Sequence, residues 1–469
     1  MLKSHDQMWT RLSRLHKEFP AWIAASFAVR PAASRVDEED SVASSQPAPA
    51  GQDTPEQLDA PAETAAEPPH IPFADSLLIP ICEEGSDTKS RHALQDRGQF
   101  LARQERWSDL SQLIREADQN HSRTSGGLPA ADLLAYGARA DVVNAVEHAL
   151  EDRSAKPASV AGEKGEDRIL IDGVMALEAL RRDHRQDSYL TAIVALAHID
   201  IAWIWRGAAT EEALAEAQAE AHLRRANAHF ERAATLLQPL QKNCQNSAFL
   251  AAAQCALYAG QNADTLEVAD AYGALIDQNP ENPRPMRALG AQMLPRANGS
   301  YAALELEARR TAVRTQEEWG AGGYTWVYFD ALAIDVQACA RVDPDFFLDG
   351  LQDILCADPS QEMINLLAAY CSVTLRSGRG QNQQADVNRL KIAEAARWLI
   401  RSHLHELHPL IWAHACEGFN NNARITSLRR FAALGQAEAL QCIAGIFRDE
   451  LGSGHKISFT PEGFDLVPE

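Results

Sequence analysis

The chain has 469 residues, is 46% apolar and 7% aromatic, and carries a formal net charge of −21. That length allows two or three domains or one extended repeat array. The acidic balance argues against nucleic acid as a partner, because a phosphate backbone would be repelled.

Charge is unevenly placed. Residues 1–30 are net +3, residues 31–90 hold thirteen acids against two bases, and residues 91–469 hold fifty acids against thirty-seven bases. Phe19 to Val29 is apolar and follows Arg11, Arg14 and Lys17, which predicts an amphipathic helix within residues 1–30. Ser26-Phe27-Ala28 offers small residues where a leader could be cut, so export after cleavage near Ala28 is the alternative to a cytoplasmic protein. Eleven residues are too short to span a bilayer, and no later window reaches eighteen consecutive apolar residues, so no integral membrane segment is expected. Residues 31–85 form a linker of Pro, Ala, Ser and acids that cannot offset its ordering entropy; disorder is expected, with Ile71 to Cys82 docking at its end.

From Ser90 the pattern turns helical. Residues 86–245 are expected to form N-terminal helical repeats or a bundle, residues 246–455 a repeat array, and residues 456–469 an irregular tail marked by Pro461, Gly463 and Pro468. In the first pair, Leu94, Gly98 and Leu101 face Leu110, Ile114 and Ala117. Ser188 to Arg206 is apolar on most sides and should be central. Thr210 is a natural N-cap for a helix running to Gln238. Further helices are predicted near 323–341, 344–356, 360–376, 384–405, 409–418, 423–434 and 436–450. No useful alternating-period strand signal is present. All eight cysteines lack a C-x-x-C partner and read as free thiols in a reducing compartment.

Two stretches share a helical register thirty-four residues apart. Ala252, Cys255, Ala256 and Ala259 lead to Val268, Tyr272 and Leu275; Met286, Leu289, Gly290 and Met293 lead to Ala302, Leu306 and Arg309. A fixed period in this range marks stacked helix–turn–helix units. The pattern resembles tetratricopeptide and Sel1-type repeats over about a quarter of the chain. Gly98, Ala256 and Gly290 occupy the small position of the first helix, Ile114, Tyr272 and Leu306 the bulky position of the second, and Pro280 closes a unit. Ala226-x3-Phe230-x2-Ala233 matches a second-helix signature, and Ala432 to Ala439 with Ile443, Ala444 and Phe447 resembles a Sel1-type unit. The family's tryptophan near the start of each unit is absent. Leu294-Pro295-Arg296-x2-Gly299-Ser300-Tyr301 resembles a turn of bacterial proteins of unknown function, with Ala297 where they carry tryptophan. The resemblance implies an all-α fold, a right-handed solenoid of antiparallel hairpins that presents a groove to a protein or peptide.

Trp319 to Asp330 is the densest aromatic region. Trp319, Tyr324, Trp326 and Tyr328, with Asp330 and Arg296, combine the residue types of protein-interaction hot spots and are the candidate partner-binding patch. The body's negative charge predicts a basic or neutral ligand. Gly320, Gly322 and Gly323 form no phosphate loop, and no cofactor is expected. Of His403, His405, His408, His414 and Cys416, beside Glu406 and Glu417, only His405 and His408 are expected to share a helical face, with Pro409 breaking the helix straight afterwards, and the run is assigned no metal. The enzyme alternative is an (α/α) cavity with facing acids among Asp330, Asp335 and Glu318; no nucleophile elbow or catalytic cysteine signature accompanies it. A non-catalytic helical-repeat scaffold or adaptor is the expectation.

Overall fold

The computed structural model describes residues 74–83, 85–155, 164–209, 216–261, 263–376, 379–417 and 428–468. The helix expected over 1–30, the cleavage position near Ala28, most of the linker expected over 31–85 and the Thr210 cap lie outside the described residues.

The described chain is mostly helical. Helices α1 (Ser86–Arg103), α2 (Trp107–Gln119), α3 (Ala130–Ala155), α4 (Lys164–Asp183), α5 (Ser188–Ala208) and α6 (Glu216–Leu237) build the first part. Next come α7 (Ala248–Tyr258), α8 (Thr265–Gln278), α9 (Pro283–Gln292), α10 (Tyr301–Arg314), α11 (Gln316–Trp319) and α12 (Gly322–Ile334). The last group is α13 (Val336–Arg341), α14 (Pro344–Ala357), α15 (Gln361–Ser372), α16 (Gln383–Ala393), α17 (Ala395–Ser402), α18 (Pro409–Glu417), α19 (Leu428–Ile446) and α20 (Arg448–Gly452).

Local chemistry explains most boundaries. Asp187 caps α5 by accepting from the amides of Tyr189 and Leu190, and Asp264 caps α8 through Leu266 and Glu267. Helix α5 is long and apolar enough to cross a membrane, but its Ile193, Val194, Ile199 and Ile201 are buried in the protein interior. The single helix expected over 323–341 is two: Asp335 leaves helical geometry and its carboxylate accepts from the amides of Gln337 and Ala338, starting α13 afresh. The helix expected over 384–405 breaks at Glu394 and ends at Ser402. Where two helices were expected over 423–450, α19 runs continuously to Ile446.

Glycines set the closest helix crossings, though with other partners than the hairpin resemblance implies. A Cβ on Gly98 would stand 2.0 Å from the carbonyl oxygen of Leu134, and one on Gly137 would stand 1.9 Å from that of Gln95. Helix α1 therefore crosses α3, two elements on, rather than α2. Gly290 likewise places α9 against the Val327 carbonyl of α12, at 1.8 Å from a notional Cβ. Gly435 brings α19 against α18 at the Pro409 carbonyl. The thirty-four-residue register holds in α7, α8 and α9 but fails in α10. Ala302, Leu306 and Arg309 point outward; the inward stripe is Leu304, Ala308, Thr311 and Ala312, where Gly323 of α12 admits the Thr311 carbonyl.

The tail expected to be irregular is a hairpin, β2 (His455–Thr460) with β3 (Gly463–Pro468), turning at Pro461-Glu462. Ile457 and Phe459 alternate inward from β2, and Phe459 and Phe464 pack edge-on to Phe447. A two-residue strand β1 (Leu77–Leu78), within the Ile71 to Cys82 stretch expected to dock, joins it in parallel, Leu77 opposite Ile457. Ile81 then bridges Leu407.

No cysteine is in a disulfide among the described residues; Cys255, Cys339 and Cys371 are buried and Cys356 is exposed. One buried carboxylate ties three elements of the first part together. Asp118 in α2 accepts from the Tyr189 hydroxyl of α5 (3.0 Å), the Ser247 hydroxyl (2.5 Å) and the Phe249 amide of α7 (2.9 Å). Truncating it strands three buried donors, so Asp118→Ala should lower unfolding free energy by about 3 kcal/mol. Urea denaturation reads this directly, and a loss below about 0.5 kcal/mol would show that the donors find water instead.

Candidate functional site

The six residues of the expected surface patch part company. Helix α12 is buried throughout its middle, and Tyr324 and Tyr328 are 0% and 1% exposed. Their hydroxyls both donate to Glu305 Oε2 of α10, at 3.0 and 2.8 Å, and the Asp343 amide donates to the Tyr324 oxygen. Burial, and then in Tyr328 the neighbouring tyrosine, keeps both phenols protonated. Trp319 donates to the Pro280 carbonyl at 2.8 Å and meets Trp326 edge-on. Arg296 is exposed in a 3-10 turn (Pro295–Ala297). Tyr324 and Tyr328 therefore present no open face: Glu305 supplies the polar partner for both hydroxyls. The three acids of the enzyme alternative also separate, for Asp335 caps α13, Glu318 is exposed, and Asp330 is paired with Arg287.

Trp326 and Asp330, one turn apart on α12, instead border a half-open cavity of about 220 Å³. Four other helices reach it at helical spacing. Arg91 comes from α1, and Arg284, Arg287, Ala288 and Ala291 from α9. Met363 and Leu366 come from α15, with Ile411 and His414 from α18. The floor is thus apolar and the walls charged, the usual composition of a ligand site.

Each wall is fixed locally. Asn282 caps α9 by accepting the Arg284 amide, with Pro283 at the first helical position, which aims Arg284 and Arg287 along one face. At the mouth, Asp87 in the first turn of α1 accepts from the Gly126 amide at 2.7 Å and from the Thr124 hydroxyl. A Cβ at Gly126 would lie 2.6 Å from the Asp87 carboxyl carbon, so a larger residue there must displace this carboxylate. Arg287 grips Asp330 with two bonds of 2.9 and 2.7 Å and lies 4.9 Å over the Phe329 ring.

The cavity is lined by Arg91, Arg284 and Arg287 and by five carboxylates, Glu83, Asp87, Asp330, Asp358 and Glu362. Burial lowers the Arg91 guanidinium, opposed only by Asp87, and burial brings Arg284 down to about 10 despite Asp132, with Arg287 and Arg91 adding to the shift. His414 falls to about 3 through burial and then through Arg91. The acids at the walls are engaged: Asp330 by Arg287, Asp87 by the 124–126 turn and Asp358 by the Ser360 amide. Glu83 is exposed and Glu362 lies against Gly85. Two buried donors, Arg91 Nε and Trp326 Nε1, have no hydrogen-bond partner, on side chains 5% and 0% exposed. An orphaned buried donor costs about 1–3 kcal/mol, and a ligand acceptor would remove that cost.

Arg91, Arg284, Arg287 and His414 are absent from the sequence-derived set. A signal exists in Arg284-Pro-Met-Arg287, whose two arginines share a face with Ala288 and Ala291. The histidine run also reorganises. His403 is exposed against Trp398, and residues 403–408 are not helical, so His405 and His408 share no helical face. Glu406 and His408 instead come together with Cys82, from the far end of the described chain.

No family model matches the chain, and neither does any curated protein or solved structure.

Proposed function

We propose that the chain is a non-catalytic, right-handed α-solenoid scaffold that takes a short peptide segment of a partner protein into the 283–414 cavity. The segment presents a carboxylate to Arg91 and Trp326 and an apolar side chain to Met363, Leu366 and Ile411. The observation that carries this reading is the pair of buried donors without acceptors beside arginines whose charge is disfavoured. An anion relieves both conditions at once.

Recurrent spacing supports the repeat arrangement. Three hydrogen bonds, Tyr301 to Asp335, Arg309 to Asp343 and Gln278 to the Cys244 carbonyl, each span 34 positions. Three more, Tyr370 to the Phe329 carbonyl, Thr374 to Ala415 and Asn365 to Glu406, each span 41. Handedness is carried by the family resemblance alone.

The net charge of the body favours a basic or neutral partner, whereas the unpartnered donors of Arg91 and Trp326 favour a ligand that brings an acceptor. Fluorescence anisotropy with acidic, neutral and basic hexapeptides that share one apolar residue separates the two. The acidic series should bind, and Arg91→Gln should weaken it roughly 10–100-fold, the range of a charged hydrogen bond. Tighter binding of the basic series, or indifference to Arg91→Gln, would remove the cavity reading.

A further inference from the structure

We infer that Cys82, Glu406 and His408 form a three-ligand zinc site at the edge of the cavity. Their ligand atoms lie within 4.8 Å of one another. The His408 ring is 7% exposed, and its Nε2 stands 3.1 Å from Glu406 Oε1 without the alignment of a hydrogen bond. Two groups that close, aimed past each other, have the mutual placement of ligands converging on a shared ion.

The backbone under all three is held before any metal arrives. The Cys82 amide donates to the Leu407 carbonyl at 2.8 Å, and the Leu407 amide donates to the Pro80 carbonyl at 2.8 Å. From α15, Gln361 Oε1 accepts the amides of His405 and Glu406, and Asn365 donates to the Glu406 carbonyl while accepting the His408 amide. Leu407 is buried, so extended backbone places Glu406 and His408 together on the opposite side. Rigid support of this kind is what a metal site requires.

A thiolate, an imidazole and a carboxylate suit a borderline-soft ion, and zinc takes all three in tetrahedral geometry where magnesium and calcium do not. Cys82 binds as thiolate and releases its proton to solvent. Three protein ligands leave one position open, and because Cys82 and His408 both border the cavity, that position faces it. A water there would be acidified, or an acid entering the cavity could complete the shell. The site stands whether or not the peptide reading holds.

The test uses untagged full-length protein stripped with a chelator. Zinc competed against a chromophoric chelator should show one tight equivalent, and Co²⁺ in its place should give a thiolate charge-transfer band. Cys82→Ser should abolish the band, and each of Cys82→Ser, His408→Ala and Glu406→Gln should weaken zinc by at least roughly tenfold. Cys356→Ser, at an exposed cysteine elsewhere, should change neither. Glu406, with 36% of its side chain exposed, provides the variant least able to disturb folding. No stoichiometric zinc in the wild type, a band that survives Cys82→Ser, or zinc affinity unmoved by Glu406→Gln would overturn the assignment.

Discussion

Replacing Gly290 with valine is expected to destabilise the protein by on the order of 4 kcal/mol, because a Cβ there would lie 1.8 Å from the Val327 carbonyl oxygen. The obstacle is backbone, so no rotamer change can relieve it, and α9 must move away from α12. The same motion would displace Arg287 from Asp330 and open the cavity. Urea denaturation measures the loss. Gly445→Ala supplies the contrast: this glycine lies in α19 with nothing within 4 Å of a notional Cβ, so alanine should stabilise by about 0.5–1 kcal/mol. A Gly290→Val protein as stable as the wild type would mean that the two helices do not touch there.

Acid should destabilise the protein through two buried histidines, opposed in part by Asp132, whose carboxyl burial raises to about 6. Burial and then His198 bring His229 down to about 4, and burial and then Arg91 bring His414 down to about 3, from an ordinary 6.5. The folded state therefore keeps these rings neutral while the unfolded chain binds protons below pH 6.5. Stability is complete above that value, falls as pH drops through the interval, and stops falling once the folded rings titrate near 4 and 3. Each ring contributes on the order of 3 kcal/mol to the loss. Unfolding free energy measured from pH 7 to pH 4 should slope steeply, and His414→Gln should flatten the slope. An unchanged slope in that variant would place the acid sensitivity elsewhere. Glu178, Asp343 and Glu450 are lowered by Arg232, Arg309 and Arg401 respectively, and their stabilisation is lost only at lower pH.

Legibility in the sequence followed the range of the interaction concerned. Helix α5 is evident because its apolar residues cover most of its circumference, and α8 because Asp264 and the Val268, Tyr272, Leu275 stripe lie within one segment. The break at Asp335 hides because aspartate tolerates either a helix interior or a cap, and the choice depends on Tyr301 approaching its carboxylate. The hairpin after His455 carries its signal in Ile457 and Phe459, too short a run to outweigh Pro461 and Gly463. Glycine partners were misjudged for a topological reason: periodicity shows that Gly98 and Gly290 face something close, but not that the neighbour lies two or three helices onward. The aromatic cluster illustrates the same limit. Composition distinguishes α12 from its surroundings, yet Tyr328 becomes core only because Glu305 stands where its hydroxyl arrives. Arg91, Arg284 and Cys82 come together from segments that no local window can compare.

The short parallel pairing of Leu77–Leu78 with Ile457–Ser458 joins segments nearly four hundred residues apart, so the clasp can shut only once both have been made and the helices between bring them together. An insertion or deletion in the helices between them would move one strand away from the other, so the pairing ties the two ends of the described fold to a fixed spacing.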